Sequence, residues 1–242
     1  MLESSEKHEG FSYCRARWDW ASSDDHALWI SGSSSLDRFD RLGWIDACQL
    51  ADLCPGYREA TILEWGSGSG RVTQYLCRLF RHTHAVDISS GMLSLIAERR
   101  LPDLTLHHTD GASLPAGLEV DVIYSYLCWM HNRKEDLPAV LRTCRSVLKP
   151  TGKLLFQLPV YDEPRAPQSF MDTACWSPRE FLDLADRTGF AVTRMAASVG
   201  AFSMEAIGAN HFALHEWRPR PDATPGPDGG CRSNGQVRSA SP

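Results

Sequence analysis

The stretch ILEWGSGSGRVT, residues 62–73, decides how this chain is read. Thr61, Ile62 and Leu63 form an apolar run that ends in an acid, Glu64. Glycines then alternate at Gly66, Gly68 and Gly70, and a helix-compatible segment follows from Arg71. The order reads as strand, tight glycine turn, helix. Glycines there let backbone N–H groups approach a ligand with no Cβ in the way, so the turn is expected to wrap a bound small molecule.

Outward from this turn the pattern alternates. Strands are expected at 61–64, 84–87, 104–107, 120–125 and 153–158, and helices at 71–80, 91–100 and 135–147, with Pro150-Thr151-Gly152 as a turn. Alternation of this kind predicts an α/β fold, a parallel sheet with helices on both faces. Upstream, apolar residues recur from Leu36 to Leu53 at helical spacing, and Pro55-Gly56 stops them. Downstream, Ser177-Pro178 opens another helix that Gly189 ends, and late strands are expected at 190–197 and 209–217.

The chain has 242 residues and 43% hydrophobic content, enough for one α/β domain with decoration. Residues 1–35, rich in Ser, Asp and Trp, have no clean period and read as an irregular arm or short helices. Residues 218–242 are so rich in Pro, Gly and Ser that disorder is expected. A formal net charge of −5 argues against a large nucleic-acid partner. The eight cysteines form no CxxC pair or zinc-finger spacing, which fits free thiols in a reducing cytoplasm. No secretory or membrane-spanning segment is visible, so no membrane partner is expected. Adjacent His107 and His108 point to opposite faces of a strand and cannot chelate together, so no metal site is assigned.

Other nucleotide loops fit the glycine turn poorly. A P-loop needs a lysine after its glycines, and none is present. The dinucleotide fingerprint needs glycine where Arg71 stands, which argues against a nicotinamide-dependent oxidoreductase. The pattern present is acid-x-Gly-x-Gly-x-Gly. With Asp87 in HAVDIS, Asp110 in HHTDGASL and the segment VLKPTGKLLF at 147–156, the chain resembles the class I S-adenosylmethionine-dependent methyltransferases, in their small-molecule branch. The resemblance spans about three quarters of the chain, residues 36–217. It implies a Rossmann-like seven-stranded sheet of order 3-2-1-4-5-7-6, with residues 1–35 as an arm or lid.

It also implies a cofactor, S-adenosylmethionine, and residues to hold it. Glu64, Gly66, Ser67, Gly68 and Gly70 would surround the amino-acid end, with Asp87 on the ribose hydroxyls. Ile88 and Met92 would flank the adenine, Asp110 would accept from its exocyclic amine, and Gly111 and Ala112 would bring backbone close. Helix caps are the competing reading for Asp87 and Asp110. Arg71 either meets the cofactor carboxylate or pairs at the surface, and Tyr126 either touches the cofactor side or belongs to the core.

The acceptor is expected beyond the fourth strand, along Ser125-Tyr126-Leu127-Cys128-Trp129-Met130-His131-Asn132. That segment lacks the [DN]PP[YF], Pro-Cys and paired-glutamate signatures of macromolecule-modifying relatives. An O or N atom of a small metabolite, in secondary metabolism, is therefore expected. His131 is the candidate general base, with a substrate or structural contact as the alternative. Trp129 is either substrate wall or core. The N-terminal tryptophans (Trp18, Trp20, Trp29, Trp44) and the segment 161–173 are candidate lids. A non-catalytic binding module is the rival reading, disfavoured because the glycine loop and its acid are intact.

Overall fold

The computed structural model describes residues 11–23, 35–160, 175–195 and 214–221. Within these, seven strands form one sheet of order β3-β2-β1-β4-β5-β7-β6. The central strand β1 (Thr61–Trp65) is buried along its whole length. It pairs in parallel with β2 (His82–Asp87) and with β4 (Val120–Ser125), through Glu64↔Ala85 and Glu64↔Tyr124. β3 (Leu104–His108) lies outside β2, and β5 (Leu148–Phe156) outside β4, both parallel. β7 (His215–Pro219) runs antiparallel between β5 and β6 (Phe190–Arg194).

Side-chain alternation divides the core between the two faces. Ile62, Val122, Tyr124 and Leu155 pack under α2 (Leu36–Leu53) and α3 (Thr73–Leu79). Ala85 carries α4 (Ser90–Ala97) through Leu93 and Ile96. Leu63, Ile123, Leu154 and Phe156 face α5 (Leu137–Val147) and α6 (Pro178–Arg187). α2 buries Phe39, Leu42, Gly43, Asp46, Ala47 and Leu50, a helical stripe that holds one acid. α6 starts where the sequence says: Ser177 and Glu180 form a capping box and Pro178 opens the first turn.

Of the two readings of residues 1–35, an irregular arm or short helices, Phe11–Ala21 takes the second as a regular helix, α1. Two expectations change. Pro150-Thr151-Gly152 does not precede β5. It sits inside the strand as an irregularity, where the register passes from Val120↔Leu148 to Val122↔Lys153. β7 runs two residues past the expected end of the domain at 217, to Pro219. The lid segment 161–173, Trp29, and 222–242 of the expected tail lie outside the described residues.

Sheet order fixes where a ligand binds. From β1 the chain crosses to β2 on one side, and later returns to β4 on the other. Above the carboxyl ends of β1 and β4 this leaves a crevice, the switch point of an open α/β sheet. Among the described residues no helix is long and apolar enough to cross a membrane.

Candidate functional site

A cleft opens at that crevice, with up to 1020 Å³ of empty space when its mouth is counted. That is room for a nucleoside-sized ligand. Its floor is the turn after β1. Gly66 and Gly68 there have positive φ, +80° and +52°, which side chains with a Cβ rarely adopt. At Gly66 a Cβ would have no room beside Cys128, whereas nothing lies within 4 Å at Gly68. Gly70 does not line the cleft. It packs against Ile96 of α4, 2.9 Å from where a Cβ would stand.

Four of the loop's donors are spent inside the protein. The N–H groups of Gly66 and Ser67 both donate to the Val86 carbonyl, and Gly70 donates to Ser67 O at 3.0 Å. Gly68 N–H donates to Asp87 Oδ2 at 2.8 Å. Those four groups are therefore not waiting for a ligand, contrary to the simple reading of the motif. The turn supplies clearance, and it locks the end of β1 to the end of β2.

Asp87 is the hinge of that lock. Its Oδ1 accepts from Ser89 N–H at 2.9 Å, so each carboxylate oxygen holds one backbone donor. The residue also lines the cleft. Burial pushes Asp87 above the usual carboxylate range, against the opposing effect of those backbone donors. Asp87 thus serves its own backbone and also lines the cleft.

Glu64 is buried at the end of β1 and accepts from Thr73 Oγ1 at 2.6 Å. Burial pushes its pKa up to about 8, although the Thr73 hydrogen bond and the nearby Arg71 charge work the other way. Arg71 lines the same end of the cleft. It is not a surface pair: it is buried and donates from Nη1 to Asp46 Oδ2 at 2.5 Å. Its guanidinium lies 6.0 Å from the ring of Tyr126, which stacks on Tyr124. Tyr126 Oη and Ser67 Oγ are buried with no hydrogen-bond partner among the described residues, and both residues line the cleft. Orphaned buried hydroxyls are costly. Here they mark where a polar ligand belongs.

On the other side stand Ile88, Met92, Thr109 and Gly111. Asp110 is not in this wall. Its carboxylate is exposed and accepts from Ala112 N–H and Ser113 N–H at 3.0 and 2.8 Å, which closes its own turn. Those donors hold it below the usual carboxylate range. Ala112 also leaves the wall and packs against the core. Asp110 thus closes its own turn, in line with the capping alternative, while its neighbours Thr109 and Gly111 line the cleft.

Past β4 the wall is Leu127, Cys128 and Asn132, faced by Phe11 and Trp18 of α1. His131 does not line the cleft: its ring meets Trp18 edge-on at 5.4 Å. Trp129 belongs to the core, fully buried against Trp65 and Phe156. Trp44 stands apart on α2 against Tyr75, and Trp20 is exposed. α1 is fastened by Ser89 Oγ donating to Asp19 Oδ1 at 2.6 Å. Among the described residues, no group of three or more His, Cys, Asp or Glu side chains is arranged to hold a metal.

Sequence reasoning missed Phe11, Asp19, Asp46 and Thr109. Two signals were present: Phe11 and Trp18 are seven apart, one face of a helix, and Asp46 breaks the apolar stripe of α2.

Residues 62–152 match the family described as a methyltransferase domain. An uncharacterized methyltransferase of Bacillus pumilus is 29% identical over 114 residues, which are 47% of this chain and 53% of that one. A malonyl-[acyl-carrier protein] O-methyltransferase of Priestia megaterium is 35% identical over 104 residues, 41% of this chain and 36% of that one. The chain thus spans about half, or less, of the length of these curated relatives. Among solved structures, the 1,6-didemethyltoxoflavin-N1-methyltransferase of Burkholderia thailandensis, with S-adenosylhomocysteine bound, shares the fold at TM-score 0.65. It is 15% identical, over 86% of this chain and 88% of that one. The magnesium protoporphyrin IX methyltransferase of Synechocystis PCC 6803 shares it at TM-score 0.63, also 15% identical, over 89% and 100%.

Proposed function

We propose, for a chain whose residues 62–152 match the family described as a methyltransferase domain, that the cleft binds S-adenosylmethionine and that the chain transfers its methyl group to an O or N atom of a small molecule. One observation carries this reading. A buried glutamate, a buried arginine, a buried aspartate and two orphaned hydroxyls line a single cleft at the switch point. Glu64 and Arg71 would face the ammonium and carboxylate of the amino-acid end, with Ser67 Oγ and Tyr126 Oη beside them. Asp87 would accept from the ribose hydroxyls. Ile88, Met92 and Gly111 would enclose the adenine.

When bound, the sulfonium supplies an electrophilic methyl on a good leaving group. The chain's own residues then have to position the acceptor and exclude water. Phe11 and Trp18 close over Leu127, Cys128 and Asn132 for that purpose. His131 is assigned to holding Trp18 rather than to moving a proton. An uncharged acceptor end fits this wall, since its described residues carry no charge. The acceptors named for the two structural relatives, 1,6-didemethyltoxoflavin and magnesium protoporphyrin IX, support a small-molecule acceptor.

A thermal-shift measurement tests the reading. S-adenosylhomocysteine at a hundred times its Kd should stabilise the fold by about 2.7 kcal/mol and raise Tm by several degrees. No shift at millimolar ligand would overturn it. Incubation with S-adenosylmethionine and a panel of hydroxy- and amino-bearing aromatics, read by mass, then defines the acceptor.

A further inference from the structure

Helix α2 grips Arg71 at two points. Gly43 lies against the Arg71 main chain, where a Cβ would run into the Arg71 carbonyl. Three residues on, and so on the same face, Asp46 accepts from Arg71 Nη1 at 2.5 Å. Both α2 residues are buried. One turn of α2 thus holds the backbone and the guanidinium of the residue that follows the glycine turn. α2 also precedes the segment 62–152 that matches the methyltransferase family.

A guanidinium has five N–H donors in a rigid fork. Asp46 takes one edge of it, and Arg71 still lines the cleft. A buried arginine without a partner would be strongly unfavourable. With Asp46 in place the charge is kept and the fork is oriented before any ligand arrives, which lowers the ordering cost of binding. Across the same end of the cleft stands Glu64, the group suited to an ammonium. The pair of sites fits an amino acid's two charges.

We propose that Asp46 is a positioning residue that aims Arg71 so that the cleft selects ligands carrying a free α-carboxylate. This rests on the cofactor reading above and adds a determinant of specificity that lies outside the glycine motif.

The test uses calorimetry on the full chain with two ligands: S-adenosylhomocysteine, and its decarboxylated analogue, which lacks only the carboxylate. The wild type should prefer the first by about tenfold or more, the scale of one charge-assisted hydrogen bond. Asp46→Asn is nearly isosteric and should weaken S-adenosylhomocysteine by about tenfold while leaving the analogue within about twofold. Arg71→Lys keeps the charge, loses the fork, and should collapse the preference in the same way. The ratio of the two constants is read on folded protein, so a loss of stability does not imitate it. Parallel weakening of both ligands, or a wild type that binds both equally, overturns the assignment. A wild type that binds neither contradicts the cofactor reading itself.

Discussion

Strands β1 and β2 carry buried acids at or next to their carboxyl ends, whereas β5 and β7 carry buried aromatic rings. On the first side Glu64 and Asp87 are held by Thr73, Gly68 and Ser89, and both residues line the cleft. On the second, Phe156, Phe181, His215 and Trp217 interlock at ring separations of 4.4 to 6.0 Å. The His215 ring meets the Leu158 carbonyl through Nε2 at 3.0 Å, inside the core. One scaffold thus carries two kinds of burial. The aromatic half buys rigidity. The polar half accepts desolvation that only a ligand can fully offset.

Breaking the aromatic half should have the largest effect. Trp217→Ala removes a fully buried ring and should cost about 3–5 kcal/mol of stability, read by denaturant unfolding. Affinity for S-adenosylhomocysteine per folded molecule should stay unchanged. Loss of affinity without loss of stability would erase the contrast between the halves.

Next comes Glu64→Gln, which keeps a partner for Thr73 and removes the charge. Binding should weaken by about tenfold or more, yet the empty protein should become more stable at high pH. The sign follows from proton counting. Burial raises the folded pKa of Glu64 to about 8 from an ordinary 4.5, so between those values the folded state holds the extra proton and stability falls as pH rises. His215 runs the other way. Burial lowers its pKa to about 4 from 6.5, so the unfolded state takes the proton and stability falls as pH drops through that window. Unfolding at pH 5 and pH 8 should show Glu64→Gln flattening the alkaline side and His215→Gln the acid side. Half-buried His84, also lowered to about 4, adds to the acid side. The reverse assignment would contradict the burial argument.

Smaller effects sharpen the boundary of the polar half. Gly111→Ala meets Phe11 at φ +118°. It should loosen α1 and weaken binding severalfold, about 1 kcal/mol, measured by calorimetry. Asp110→Ala should cost about 0.5–1 kcal/mol through its turn and leave affinity nearly intact. A large loss of affinity there would restore Asp110 as a ligand contact.

Legibility follows the same division. The strand order was readable through the family resemblance, and the glycine turn because φ > 0 is imposed by backbone sterics. Asp110 stayed open between two readings because a short acid after a strand serves its own backbone as readily as a ligand. Asp46 was hidden for a different reason. In sequence it is a flaw in an apolar stripe, and only the fold shows that Arg71, 25 residues away, fills the flaw. α1 stayed open between an irregular arm and short helices because its pattern is sparse: Phe11 and Trp18 share a face, with Arg15 between them on that side.

The most direct test of the account is calorimetric titration of S-adenosylhomocysteine into the wild type and into Asp87→Asn, which removes the charge and one of the two acceptor oxygens facing Gly68 and Ser89. The account predicts clear binding to the wild type, weakened at least about tenfold in the variant. Equal affinity in the two proteins, or no heat from the wild type at millimolar ligand, would contradict it.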